Sequence, residues 1–208
     1  MKTVIFDFDG TLVDSLATIV DIFEQVNRKG SQLSNKEIAE LRHLPLLAVA
    51  KRLGIPAWRV PFMLFSGRRM MGRRISELEP FKGLVAVIRQ LHADGYNLLI
   101  VSSNSSRNVR AFLKQRKLDR YFSRVYGNVG LFDKAAALRK LISSNRLEIS
   151  DCIYVGDETR DIEACEAINL RCVAVAWGFA NPAFLLKHLP FALVQSPAEL
   201  VQTIERAL

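Results

Sequence analysis

The sequence predicts an α/β fold, a doubly wound parallel sheet with a small all-helical domain inserted after the first strand. Short apolar runs recur along the chain, and segments of helical period separate most of them. One long stretch near the N-terminus breaks this alternation and holds helical segments alone. Strands alternating with helices make a parallel sheet covered on both faces. The chemistry of such a sheet lies beyond the carboxyl ends of its strands.

The strand candidates are residues 3–8, 98–101, 124–126, 152–155 and 172–176, with 191–194 as a sixth. Helical period runs through residues 83–94, 105–117, 133–143, 159–168 and 197–207. The first of these follows Pro80 and stops at Gly95, a C-terminal helix signal. Between the first strand and the rest lie helical segments at 16–28, 35–41, 46–53 and 57–72, punctuated by Pro45, Gly54, Pro56 and Pro61. The division expected is a core of residues 1–15 and 80–208 and a helical insertion of 16–79, joined through 11–15 and 79–83.

Half of the 208 residues are hydrophobic and 24% are charged, enough for a sizeable core and against global disorder. The 29 Lys and Arg against 21 Asp and Glu leave a net charge of +8, which suits anionic partners or is simply solubility charge, since the basic residues are scattered. Cys152, Cys165 and Cys172 are too few and too irregularly spaced for a disulfide framework or a metal site. Cys152 and Cys172 sit in apolar runs as small core residues, which fits a reducing cytosol. No apolar run reaches transmembrane length, and the N-terminus opens on a strand rather than a signal peptide.

The first strand ends in Phe6-Asp7-Phe8-Asp9-Gly10-Thr11. Strand alternation puts Asp7 and Asp9 on one side, where two carboxylates repel unless a cation or proton lies between them. Val101-Ser102-Ser103-Asn104-Ser105-Ser106 follows the second core strand. Its hydroxyls can cap a helix, and its free N–H groups can bind an anion. Lys134 opens a helix, where its charge opposes the helix dipole. Val155-Gly156-Asp157-Glu158-Thr159-Arg160-Asp161 places acids beyond another strand end, with Asp157 the better metal-ligand candidate for a hard cation such as Mg²⁺. Each cluster has an ordinary explanation alone. Together, at successive strand ends, they supply the equipment of phosphoryl transfer: nucleophile, acid and base, metal ligands and charge neutralisation.

These motifs resemble those of the haloacid dehalogenase superfamily, in its phosphoglycolate phosphatase-like branch with a helical cap. FDFDGTLVDS is similar to that family's first motif, VSSNS to its second, Lys134 to its third and GDETRDIEA to its fourth, and Trp177-Gly178-Phe179 is also familiar from the branch. The resemblance implies a Rossmann-like core and Mg²⁺-dependent hydrolysis of a small anionic phosphorylated metabolite. It implies Asp7 as the nucleophile that forms an aspartyl-phosphate, and Asp9 as general acid and then base. Ser102 would hold a phosphate oxygen, with Ser103 and Asn104 beside it in the phosphate loop and Thr11 in support. Lys134 would bridge nucleophile and phosphate. Mg²⁺ would be bound by Asp157, Asp7 and the backbone carbonyl of Asp9, and Asp161 would orient Lys134 or the metal shell. Many relatives carry Lys-Pro where this chain has Lys134-Ala135.

Asp9 argues against a dehalogenase, which needs no acid at that position. A phosphomutase keeps the same residues and remains an alternative, as does a non-catalytic binding protein on the same fold. A nucleic-acid-binding module lacks any recognition motif here, and no membrane partner is expected. Oligomeric state is not legible. The insertion is expected to act as a mobile cap that selects the substrate. Of its basic residues, Arg42 is the favoured substrate contact, because it stands at a helix end just before the break at Pro45.

Overall fold

The computed structural model describes residues 1–27, 34, 37, 40–41, 46–52, 54–130 and 133–208. In chain order its strands are β1 (Thr3–Phe6), β2 (Val13–Asp14), β3 (Glu79–Pro80), β4 (Asn97–Val101), β5 (Phe122–Tyr126), β6 (Cys152–Gly156), β7 (Arg171–Val175) and β8 (Ala192–Val194). All but β2 and β3 form a parallel sheet in the order β5-β4-β1-β6-β7-β8. From β1 the chain winds outward through β4 and β5, then returns to the other side of β1 for β6, β7 and β8. The direction of winding therefore reverses between β1 and β6, and the crevice above their carboxyl ends is where such a sheet binds ligands.

The helices whose bounds fall among the described residues are α1 (Leu16–Asn27), α2 (Leu46–Arg52), α3 (Val60–Arg74), α4 (Leu84–Ala93), α5 (Ser106–Gln115), α6 (Lys134–Ser144), α7 (Thr159–Glu166), α8 (Pro182–Lys187) and α9 (Leu200–Ala207). The pleat of β1 divides the core into two. Val4 and Phe6 face α4, α5 and α9 on one side, while Ile5 faces α6, α7 and α8 on the other. All three side chains are fully buried, each stabilising the fold by about 1.5–3 kcal/mol. Cys152, Cys165 and Cys172 are free thiols within the second layer, as small core residues should be. Among the described residues no helix is long and apolar enough to cross a membrane.

Several boundaries differ from the sequence expectation. β1 stops at Phe6 rather than at residue 8, so strand alternation is not what brings Asp7 and Asp9 together. The backbone leaves the strand and turns through Gly10 at φ +78°, and Leu12 and Val13 fold back to donate to the carbonyl of Phe8. The stretch expected to lack strands ends in one: β3 pairs antiparallel with β2, Val13 opposite Pro80 and Asp14 opposite Glu79. This ribbon clasps the two connections to the helical segment. Helix α8 went unforeseen; Asn181 caps it by accepting from the Ala183 N–H, and Pro182 stands at its first turn.

Within the helical segment α1 and α3 pack side by side, joined at the surface by Arg74 and Asp21 at 3.0 Å. Helix α3 also packs on α5 of the sheet domain. Most of the helix expected at residues 35–41 lies outside the described residues.

Candidate active site

The carboxyl ends of β1, β4 and β6 and the start of α6 converge on one buried centre. Asp7 follows β1 directly, and its N–H still donates to the carbonyl of Val155 on β6 at 2.9 Å. Oδ1 of Asp7 accepts from the Phe8 N–H at 2.6 Å, and Oδ2 meets Nζ of Lys134 at 2.6 Å. Lys134 opens α6 yet is only 3% exposed, because its ammonium turns inward to reach both Asp7 and Asp161. Burial alone would drain its charge, but the carboxylates of Asp161 and Asp7 prevail and hold its pKa above the ordinary lysine value. Burial pushes the Asp7 carboxyl the other way, up to about 6 against the pull of Lys134.

Asp161 has two duties. Oδ1 holds Lys134, while Oδ2 accepts from the N–H groups of Asp157 at 3.1 Å and Glu158 at 3.0 Å. The second duty is the capping box of α7, which ties the helix start to the end of β6.

Asp157 is fully buried and engaged at both oxygens. Oδ1 accepts from Thr11 Oγ1 at 2.7 Å and Oδ2 from the Phe179 N–H at 2.7 Å. A Cβ at Gly10 or Gly178 would overlap this carboxylate, so both positions must stay bare. Burial, with Glu158, Asp161 and Asp7 nearby, raises its pKa well above the ordinary range. Asp7, Asp157 and Asp161 offer oxygens that all lie within 4.8 Å of one another, close enough to hold a metal ion. A set of oxygens alone suits a hard cation. The fit is electrostatic as well, since the Asp157 carboxylate makes no ion pair among the described residues and its charge is otherwise uncompensated.

Asp9 is half-buried at the mouth of this centre. Ser15 Oγ donates to its Oδ1 at 2.8 Å and Asn104 Nδ2 to its Oδ2 at 3.0 Å. Burial raises its pKa, and these two hydrogen bonds oppose the rise. Asn104 belongs to the loop after β4. In that loop Ser102 is fully buried, and its Oγ accepts from the Asn104 N–H at 3.0 Å. Among the described residues the Ser102 hydroxyl has no acceptor for its own hydrogen. Ser103 is half-buried beside it. Ser105 caps α5 by accepting from the Asn108 N–H at 3.1 Å, a bond of about 1 kcal/mol.

Asp7, Asp9, Thr11, Ser102, Asn104, Lys134, Asp157 and Asp161 thus assemble around one crevice, with Ser103 at its edge. Arg42 lies outside the described residues, as do Leu131 and Phe132 on the approach to Lys134. Sequence reasoning missed Ser15, Arg160 and Asn108. Arg160 pairs with Glu158, and its charge reaches Asp7, Asp9 and Lys134; its Nε is buried without a partner among the described residues. Its place inside the fourth motif was the available signal. Asn108 donates through Nδ2 to Asn104 Oδ1 at 2.9 Å, and its signal was the four-residue spacing from Asn104.

A curated phosphoglycolate phosphatase from Synechococcus elongatus is 34% identical over 210 residues, covering 100% of this chain and 99% of the relative. The pyrophosphatase PpaX of Bacillus mycoides is 25% identical, covering 99% of this chain and 98% of its own. The solved structure of a haloacid dehalogenase-like family hydrolase from Streptococcus pneumoniae superposes with a TM-score of 0.81 at 21% identity, covering 97% of each chain. The model of the haloacid dehalogenase-like hydrolases matches residues 4–175, which contain every one of the converging side chains. With that match over most of its length and a full-length relative above 30% identity, the chain belongs to the haloacid dehalogenase-like hydrolase family.

Proposed function

We propose that the protein is a Mg²⁺-dependent phosphatase that hydrolyses a small phosphorylated metabolite through a phosphorylated Asp7. The observation that carries this reading is the pairing of two unlike carboxylates at one strand end. Asp7 is paired with the Lys134 ammonium, which opposes the rise that burial imposes on its carboxyl, whereas Asp9 is held by the neutral donors Ser15 and Asn104 and has no ion pair among the described residues. A cation beside one carboxyl favours its ionised, attacking form, and its absence beside the other favours a carboxyl that carries a proton.

The Asp7 carboxylate attacks phosphorus, and the ester P–O bond breaks as Asp9 gives its proton to the departing alcohol oxygen. Ser102 offers its hydroxyl hydrogen to a phosphoryl oxygen. Lys134 offsets charge on both the attacking carboxylate and the incoming phosphate, while Asp161 fixes its ammonium in place. Asp9, now ionised, takes a proton from water as the water oxygen attacks phosphorus; the acyl-phosphate bond breaks, which frees phosphate and restores Asp7. Ser15 and Asn104 keep the Asp9 carboxylate aimed through both steps. Mg²⁺ held by Asp7, Asp157 and the backbone carbonyl of Asp9 would offset the repulsion between the carboxylate and the phosphate dianion.

Residues 16–79 act in this reading as a cap over the crevice, with the β2–β3 ribbon as its root. A closed cap excludes water during phosphorylation. The name of the Synechococcus elongatus relative nominates phosphoglycolate as the first substrate to try.

The test is phosphate release from p-nitrophenyl phosphate and phosphoglycolate with Mg²⁺, for the natural chain and for Asp7→Asn. The variant should lose turnover and keep its fold, because Lys134 retains Asp161 as partner. Near-normal turnover in a folded Asp7→Asn protein would remove Asp7 as nucleophile.

A further inference from the structure

Arg68 on α3 is a half-buried arginine without a carboxylate partner among the described residues. Arg52 pairs with Glu40, Arg74 with Asp21 and Glu77, Arg116 with Glu79, and Arg160 with Glu158, while Arg69 and Arg73 on α3 lack an ion pair among the described residues but are exposed to water. The hydrogen bond that Arg68 does make is weak, from Nη2 to the carbonyl of Val129 at 3.4 Å. Desolvation lowers its pKa with no opposing carboxylate. A guanidinium partly withdrawn from water with most of its donors unspent is well placed to receive an anion.

Its location says which anion. Val129 donates its N–H to the carbonyl of Ser102 at 3.2 Å, and neighbouring Asn128 donates to the carbonyl of Asn104 at 2.7 Å. The guanidinium therefore rests on the segment that braces the phosphate loop. Its own backbone is tied to the acid by a chain of hydrogen bonds. Asn108 Nδ2 donates to the Arg68 carbonyl at 2.8 Å and to Asn104 Oδ1 at 2.9 Å, and Asn104 Nδ2 donates to Asp9 Oδ2 at 3.0 Å. Gly72, one turn beyond Arg68, lets α3 seat closely here, since a Cβ would stand 2.7 Å from Asn108 Oδ1. Among the described residues, Arg68 is thus a half-buried cation without a carboxylate at the seam between the helical segment and the sheet domain, tied through its backbone to Asp9.

We propose that Arg68 is a specificity-determining residue that receives a carboxylate on the alcohol portion of the phosphate ester, with Asn108 holding it in register with the acid. The inference rests on the phosphatase reading and names the substrate class of that same site. The phosphoryl group has Ser102 and Lys134, so the guanidinium is left for a second anion. A planar carboxylate matches its fork in a bidentate contact. Arg160 also lies near the acids, but its charge is already matched by Glu158.

The experiment compares kcat/KM for phosphoglycolate and for 2-hydroxyethyl phosphate, its analogue without the carboxylate, using the full chain with Mg²⁺. Arg68→Met, Arg68→Lys and Arg160→Met are measured beside the natural protein, with melting curves to confirm folding. The natural protein should prefer the carboxylated ester. Arg68→Met should reduce that preference by about 10–100-fold, mainly through KM, the range for losing a charged bidentate contact. Arg68→Lys should fall between, keeping the charge but not the fork. A preference unchanged in folded Arg68→Met, absent from the natural protein, or lost in Arg160→Met alone overturns the inference and leaves the phosphatase reading standing. If the natural protein releases phosphate from neither ester nor from p-nitrophenyl phosphate, the phosphatase reading falls and the inference with it.

Discussion

Nζ of Lys134 stands 2.6 Å from Oδ2 of Asp7, and the same ammonium is shared with Asp161, so one cation sits between two buried acids. The arrangement is stable only as a set. Taking an ion from water costs several kcal/mol, and the cost is recovered only while the partners remain. The three residues stand just after β1, at the start of α6 and in the first turn of α7, so their pairing also ties the two helices to the end of β1.

Lys134→Met should therefore damage the fold as well as the chemistry. It leaves two carboxylates buried without their cation, a loss of about 3–5 kcal/mol. The loss should be smaller near pH 5, where Asp7, with its pKa near 6, takes up a proton and sheds its charge. Urea unfolding at about pH 5 and pH 8 in the presence of chelator checks both parts. Adding Asp161→Asn to Lys134→Met should recover part of the stability, since one of the stranded charges is then gone. A single variant as stable as the natural protein at pH 8 would mean that the lysine is not neutralising these acids.

Asp9→Asn should reveal its work through the leaving group. The amide preserves the hydrogen bond from Ser15 to the side-chain oxygen but has no proton to give to an alkoxide. In single-turnover phosphorylation an alkyl phosphate should slow by about 10²–10⁴-fold. p-Nitrophenyl phosphate, whose leaving group needs no proton, should slow much less in that step. Equal losses for the two esters would assign the proton to another group.

The elements that carry this chemistry were legible because each announces itself locally. Phe6-Asp7-Phe8-Asp9 puts acids directly after a β-branched apolar run, and Gly156-Asp157 does the same after β6. What escaped was short or depended on distant partners. β2 and β3 have two residues each, too few for any period to register. Helix α8 has six, and its Asn181-Pro182 start could equally have been a turn. Asp7 and Asp9 were placed on one side by strand alternation, yet β1 ends before either, and a loop turning at Gly10 sets their geometry instead. Lys134 reads as a surface residue until β1 and α7 supply the acids that draw it inward. Arg68 could not be told apart from its cationic neighbours on α3, because what distinguishes it is partial burial against Val129 and Asn108, which come from a distant part of the chain.

The last prediction joins pH to metal. Asp7 titrates near 6 in the folded protein instead of its ordinary 3.8, and Asp9 and Asp157 are raised as well. A carboxyl raised on folding binds its proton more tightly when folded. Its contribution is thus fully stabilising below the unfolded pKa and is lost as pH rises through the folded value. Without metal, these groups should make the protein melt lower at pH 7.5 than at about pH 5. Mg²⁺ needs the ionised carboxylates, so its binding should raise the melting temperature more at pH 7.5 than at pH 5. Asp157→Ala removes one uncompensated buried charge and a metal ligand together. It should therefore melt higher than the natural protein in chelator at pH 7.5, and it should lose most of the Mg²⁺-dependent gain. Melting curves with and without Mg²⁺ at the two pH values test all three expectations. A Mg²⁺ gain that is the same at both pH values, or that survives intact in Asp157→Ala, would place the metal away from these acids.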